Sequence, residues 1–208
     1  MHYRRFLLGA IAALPMLSLA PLAQAQTAPV SPDAAKTFIA SAGQQLVAVV
    51  NANTGTAAKA QALETLINQI VAVDVVGNYV LGRYTAVATP AQHAQFLSLF
   101  HQLISNNITN QIKTYQGISF TVNGASVMGN DTVVDTTITR PGQPDADVGW
   151  AVDEVGGAPK IVDVIVAGTS LRVTTRNDYS SVVINNGGQF SALLSAMQSQ
   201  INRIKSNQ

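Results

Sequence analysis

The sequence predicts one α+β domain, with helices first, an antiparallel sheet next and helices last. Three observations predict it. Apolar residues recur at helical spacing from Asp33 to about Tyr115, the period falls to two between Ile118 and Val166, and the helical period returns after Arg172. The two periods differ because side chains repeat about every 3.6 residues around a helix and every second residue along a strand. Helices and strands that are segregated in this way, with no internal repeat and no linker between them, make an α+β fold rather than an alternating α/β one.

Ahead of the domain, Arg4 and Arg5 precede an apolar stretch from Phe6 to Ala20, and Ala23-Gln24-Ala25 is a small-x-small tripeptide. This is the pattern of a secretory signal peptide (residues 1–25) cut after Ala25. The apolar run is shorter than the about 20 residues that a spanning helix needs. Residues 26–32 form a short Ala/Pro/Ser leader, expected to be flexible. The domain proper is expected over 33–208.

The first helix is expected from Asp33 to Val50, with Phe38, Ile39, Ala42, Leu46, Val49 and Val50 at helical spacing. A polar break with Gly55 separates it from a second, Ala57 to Ile70, striped by Leu63, Leu66, Ile67 and Ile70. A short helix from Asp74 to Leu81 ends at Gly82, a residue suited to a helix C-terminus. Thr89-Pro90-Ala91-Gln92 is the clearest helix start. Thr89 can cap free N–H groups, Pro90 suits the first helical position and Gln92 completes a capping box. That helix is expected to run to about Tyr115 with a broad stripe from Phe96 through Ile112.

Four strands are then expected in an antiparallel meander. Ile118, Phe120 and Val122 alternate with polar residues, Asp131 to Arg140 is rich in Thr and Val, Val148, Trp150 and Val152 alternate again, and Lys160 to Val166 is apolar except for Asp163. Gly129-Asn130, Pro141-Gly142 and Gly156-Gly157 supply the turns between them. A short helix from Asn177 to Ile184 and a last one from Gln189 to about Lys205, split by Gly187-Gly188, complete the chain.

Composition excludes several functions. The chain has 208 residues and no Cys, which removes disulfides, Cys-ligated zinc, Fe–S clusters and a thiol nucleophile. Net charge is +1, and only 11% of residues are charged against 47% hydrophobic. A nucleic-acid binder needs a basic surface that this chain lacks. Loss of Arg4 and Arg5 with the signal peptide leaves one more acidic than basic side chain, a nearly neutral exported protein.

Catalytic constellations are weak. Gly168-Thr169-Ser170-Leu171 is not a nucleophile elbow, since Arg172 stands where the last glycine belongs. His93 and His101, both on the long helix, are about 12 Å apart along its axis, too far for one metal ion. Asp145, Asp147, Asp153 and Glu154 surround the third strand beside turns where water is expected. Asp163 sits inside an apolar strand and needs either solvent or a partner, for which Arg83 or Arg176 are candidates. No catalytic residue, metal ligand or cofactor motif is assigned. Broad apolar helix faces opposite an apolar sheet face make either a filled core or a pocket for a hydrophobic ligand.

Two segments carry a resemblance. The first is Asp74-Val75-Val76-Gly77-Asn78-Tyr79-Val80-Leu81-Gly82-Arg83-Tyr84, followed by Thr89-Pro90-Ala91-Gln92, Phe96, Phe100 and Tyr115-Gln116-Gly117. The second is Lys160 through Leu171, with Gly168-Thr169-Ser170-Leu171 at its end, followed by Arg176-Asn177-Asp178-Tyr179, Gly188 and Leu193-Leu194. Together they resemble the MlaC family, the periplasmic phospholipid-binding proteins also called toluene-tolerance auxiliary proteins. This chain has Thr85 where the family commonly has Trp, Ala167 where it has an acidic residue, and Tyr179 where it usually has Phe.

The resemblance implies an NTF2-like fold with an apolar cavity and a carrier rather than an enzyme. It implies a phospholipid ligand and no cofactor. It also implies two partners, an outer-membrane lipoprotein complex and an inner-membrane ABC transporter with an MCE-domain subunit, and a monomeric protein in the periplasm. The lipid-lining residues expected on this basis are Phe120, Val148, Trp150, Val152, Val164 and Val166 from the sheet, and Phe96, Leu99, Phe100 and Leu103 from the long helix. Two alternatives accompany it: a polycyclic lipid, as in a branch that accompanies hopanoid biosynthesis, and a filled NTF2-like domain serving as an interaction module.

Overall fold

In the computed structural model, which describes residues 28–110 and 117–206, helix starts and stops follow local chemistry. Ser31 Oγ accepts a hydrogen bond from Ala34 N at 3.3 Å and Pro32 takes the first helical position, opening α1 (Pro32–Asn51). α2 (Thr56–Ile70) and α3 (Val73–Leu81) follow. α3 stops at Gly82, where φ is 54° and the Arg176 guanidinium lies against the glycine face, so a Cβ there would meet both strain and a clash. After a 3₁₀ turn (Gly82–Ala86), α4 (Pro90–Asn110) opens on the expected capping box. Gln92 N donates to Thr89 Oγ1 at 3.2 Å, and Thr89 N donates to Gln92 Oε1 at 3.0 Å. The expected continuation of this helix to Tyr115 and the expected signal peptide lie outside the described residues.

The sheet has five strands rather than the expected four, in the order β1 (Ser119–Met128), β2 (Asp131–Thr139), β3 (Ala146–Val155), β4 (Ala158–Val166) and β5 (Thr169–Ser170), each antiparallel to the next. The extra strand exists because Ala167 and Gly168, at φ 49° and 76°, reverse the chain directly after β4. Ser170 then caps α5 (Leu171–Asn185), accepting from Val173 N at 3.1 Å. This helix starts well before the expected Asn177. α6 (Phe190–Ser206) follows Gly187 and Gly188, both at positive φ.

Each face of the sheet meets helices. Val134, Val152 and Ile161 on one face pack with Ala35 and Ile39 of α1 and with Val30, which is buried within the segment expected as a flexible leader. The Thr132 hydroxyl donates to Val30 O and holds that segment on the sheet. On the other face, Val133, Ala151 and Val162 pack with Ala72 at the start of α3. One extra residue in β4, between the pairs Val152–Ile161 and Ala151–Asp163, places Val162 and Asp163 on this second face together. A separate helical core joins α3, α4, α5 and α6 around Phe96, Leu103, Val183, Leu193 and Met197. Among the described residues, no helix is long and apolar enough to cross a membrane.

Candidate functional site

A cavity of about 200 Å³ lies between the first two helices and the sheet. Its helical wall is the stripe of α1 at Ile39, Ala42, Gly43 and Leu46 together with that of α2 at Leu63, Leu66, Ile67 and Ile70. These positions recur every three or four residues, so each helix turns one continuous apolar row inward. The sheet contributes Phe120, Ile138, Trp150 and Ile161, while Val71, Ile108 and Ile118 close the sides. None of these side chains carries a charge. The one polar atom that the lining side chains hold is the Trp150 indole nitrogen, and it donates to Thr136 Oγ1 at 2.9 Å.

Gly43 sets how closely α1 approaches the sheet. A Cβ at this position would stand 2.6 Å from the Phe120 ring. Glycine in mid-helix costs about 1 kcal/mol relative to alanine, which the close approach of helix and ring offsets.

The sheet residues expected to meet lipid share one face by register: Phe120 stands opposite Ile138, Trp150 opposite Val134 and Val164, and Val148 opposite Val166. Phe120 and Trp150 line the cavity. Val152 and Val164 pack beside it. Val166 is exposed at the end of β4. Val148 contributes to a second, more open groove of about 830 Å³, whose wall includes Asn123, Asp135 and Asp147. That groove is larger, but an acyl chain laid in it would desolvate carboxylates, which costs several kcal/mol.

The four residues expected from the long helix do not line the cavity. Phe96, Leu99, Phe100 and Leu103 are buried in the helical core instead. Phe96 stacks on Phe100 at 5.7 Å between ring centroids and meets Tyr179 edge-on at 6.1 Å. α4 turns its aromatic stripe toward α6 and α3, and α1 and α2 take the place beside the sheet. The cavity-lining stripes of α1 and α2 were visible as apolar periodicity, but no local signal says which helix faces the sheet.

The polar candidates are engaged in holding elements together. Asp163 is buried and is neither solvated nor paired with Arg83 or Arg176. It accepts from Val164 N at 2.8 Å, Arg172 N at 2.9 Å and the Ser170 hydroxyl, and Arg172 Nε lies 3.4 Å from it. Arg172 also pairs with Asp131, and it lies over the Tyr79 ring beside Arg176. Arg172 reaches Asp163 because β5 folds the chain back on β4. The Ser170 hydroxyl donates to the Asp163 carboxylate and accepts from Val173 N, so it is engaged at the start of α5. His93 and His101 both reach across to α3, bonding Asn78 at 2.7 Å and Asp74 at 2.8 Å. Asp145, Asp147 and Glu154 are exposed and Asp153 is half-buried.

The family model described as MlaC protein matches residues 40–199. Among solved structures, the phospholipid-binding protein from Ralstonia solanacearum, in complex with a phospholipid, superposes with a TM-score of 0.73. It shares 17% sequence identity with this chain, and the match covers 82% of this chain and 98% of that one. This likeness shows a shared fold. No curated protein matches the chain.

Proposed function

The chain belongs to the MlaC family, and from that membership we propose that it carries phospholipid through the periplasm, with the acyl chains in the cavity between α1, α2 and the sheet. The observation that carries the reading is a cavity lined by uncharged, almost entirely apolar side chains in a domain with the fold of a phospholipid-bound protein. Burial of an acyl chain is worth about 0.8 kcal/mol per CH₂, so affinity needs only apolar wall and exclusion of water. Phe120 and Trp150 are the sheet residues that would touch the chains, with Leu46, Leu66 and Ile67 opposite them.

A volume of about 200 Å³ is below the about 300–1,000 Å³ of ordinary ligand pockets. Loading then needs the cavity to widen, with α1 and α2 moving away from the sheet. The carrier would exchange lipid with an outer-membrane lipoprotein complex and an inner-membrane ABC transporter bearing an MCE-domain subunit. Export after cleavage at Ala25 and a monomeric state belong to the same reading. No chemistry is needed. The engagement of Ser170, His93 and His101 in structural hydrogen bonds supports a carrier over a hydrolase.

The test is native mass spectrometry of the protein purified from periplasm, followed by organic extraction and lipid analysis. A glycerophospholipid at near-stoichiometric amount is expected. A polycyclic lipid would reassign the cargo, and a protein that is empty and refuses added phospholipid would overturn the carrier reading in favour of an interaction module.

A further inference from the structure

Three of the five arginines that follow Ala25 gather where α3 packs on α5. The Arg172 and Arg176 guanidiniums both lie over the Tyr79 ring, 4.8 Å and 5.2 Å from its centre. Arg176 also rests against Gly82, where a Cβ would stand 2.8 Å from its Nε. Arg83 comes next in the chain. It lies over the Tyr84 ring at 5.1 Å and donates to the Tyr84 hydroxyl at 3.0 Å. The three cations are held differently. Arg172 is neutralised by Asp131 and the buried Asp163. Arg83 and Arg176 are held by rings and backbone, and among the described residues neither pairs with a carboxylate. This end of the seam lies beside the start of α4, where His93 bonds Asn78, about 25 Å along that helix from Asn110.

Stacking on a ring fixes a guanidinium in place and leaves its N–H edge to an outside acceptor. Water can hydrate that edge. Two cations laid on one ring also repel each other, and an anion brought against them relieves the repulsion. The same face carries apolar surface. Val75, one turn before Tyr79 on α3, is 43% exposed, and Leu171, next to Arg172, is 46% exposed. Exposed aliphatic side chains around Tyr and Arg are the composition of an interface core. The neighbouring carboxylates are turned elsewhere. Asp74 bonds His101 of α4, and Asp178 lies about 200° around α5 from Arg176.

We propose that this α3–α5 face docks a protein with an acidic surface, whose carboxylates pair with Arg83 and Arg176 while Val75 and Leu171 are covered beside them. The planar, fixed donor edges of the two guanidiniums match carboxylates. An anionic bilayer is read by clusters of about four to eight cations, and two are too few. The assignment goes beyond the carrier reading and does not depend on what the cavity holds. α1 packs on Val134 and Val152, whereas Ala72 at the start of α3 packs on Val133 and Ala151 across the sheet. A partner seated on the α3–α5 face therefore leaves α1 and α2 free to move.

The experiment places the photo-cross-linking residue p-benzoylphenylalanine at Val75 of the full chain in cells that export it, and identifies the adducts by mass spectrometry. The same residue at Ile184, exposed at the other end of α5, is the control. Val75 is expected to cross-link to a protein segment with more Asp and Glu than Lys and Arg, and Ile184 is not. Arg83→Gln combined with Arg176→Gln is expected to cut that adduct about tenfold, while native mass spectrometry finds the same bound lipid as in the wild type. Arg83→Gln alone changes an exposed side chain. It is expected to cut the adduct about threefold and carries the test where the double variant fails to fold. Lipid adducts at Val75 would make the occupant a membrane and overturn the proposal. A neutral or basic partner segment, an adduct that survives both substitutions, the same adduct from Ile184, or no adduct at all overturns it as well. An adduct of the expected kind on a protein that holds no lipid supports the docking face and counts against the carrier reading alone.

Discussion

Trp150 Nε1 donates to Thr136 Oγ1 at 2.9 Å, and the same Thr136 hydroxyl donates to Val148 O at 2.9 Å. A single buried hydroxyl thereby turns the one indole of the chain so that its apolar ring faces the cavity while its N–H is satisfied. Thr136→Val keeps the shape and removes both bonds. It leaves the indole N–H unpaired in a buried place and is expected to cost about 1–3 kcal/mol in urea unfolding. Because Trp150 is the only tryptophan, its emission reports the cavity directly. Extraction of bound lipid is expected to shift that emission in the wild type. An unchanged spectrum on extraction would mean that the ligand does not touch this wall.

Gly43 of α1 lies close against Phe120 of β1, where a Cβ placed on the glycine would stand 2.6 Å from the ring. Gly43→Ala gains about 1 kcal/mol of helix propensity. It loses about 1–3 kcal/mol to overpacking, because the Phe120 ring edge at Cδ1 and Cε1 lies 2.6 Å from the added methyl and has to shift. A net destabilisation of about 1 kcal/mol is expected, together with weaker lipid retention as α1 is levered outward. A Tm above that of the wild type would show that the ring relaxes freely.

Asp163 joins β4, β5 and the start of α5 through Ser170 and Arg172. Asp163→Ala leaves a partly buried guanidinium with Asp131 as its remaining carboxylate and is expected to cost about 3–5 kcal/mol. Ser170→Ala loses a helix cap and one bond to the carboxylate, about 1–2 kcal/mol. The double variant is expected to be less destabilised than the sum, since the two share one network. Ser170→Ala that stays folded is expected to retain lipid like the wild type. Loss of a hydrolytic activity in that variant would reopen the enzyme reading.

What could be seen in the sequence was whatever local chemistry decides. The Thr89–Gln92 capping box, the stop at Gly82 and the change of period at Ile118 each depend on residues a few positions apart. α5 begins at Leu171, ahead of the expected Asn177, and its first turns carry Val173, Thr174 and Thr175, residues that favour strands. Its start depends on Ser170 acting as a cap once β5 has folded back. Arg172 became the partner of Asp163 through that same reversal, which no spacing rule announces. The cavity was half legible. The apolar rows of α1, α2 and α4 are all visible, and α4 carries the largest side chains. Which row faces the sheet is settled by packing, where Gly43 lets α1 come close and the aromatics of α4 find Tyr179 and Phe190 instead.

Tyr179 meets Phe96 edge-on in the helical core, and burial, with the neighbouring Asp178 adding to it, pushes its phenol up to about 12 from an ordinary value of 10.0. The folded protein therefore holds this proton at pH values where the unfolded chain releases it. The sign follows. Between about pH 10 and 12 the unfolded state binds fewer protons, so stability is complete below that window and falls as pH rises through it, by at most about 3 kcal/mol. Absorbance titration of the phenols is expected to show one tyrosine ionising late. Tyr179→Phe is expected to remove both that late phase and the alkaline loss of stability attached to it, while keeping the edge-on contact with Phe96. A variant that still loses stability over the same window as steeply as the wild type would place the alkaline sensitivity in another group.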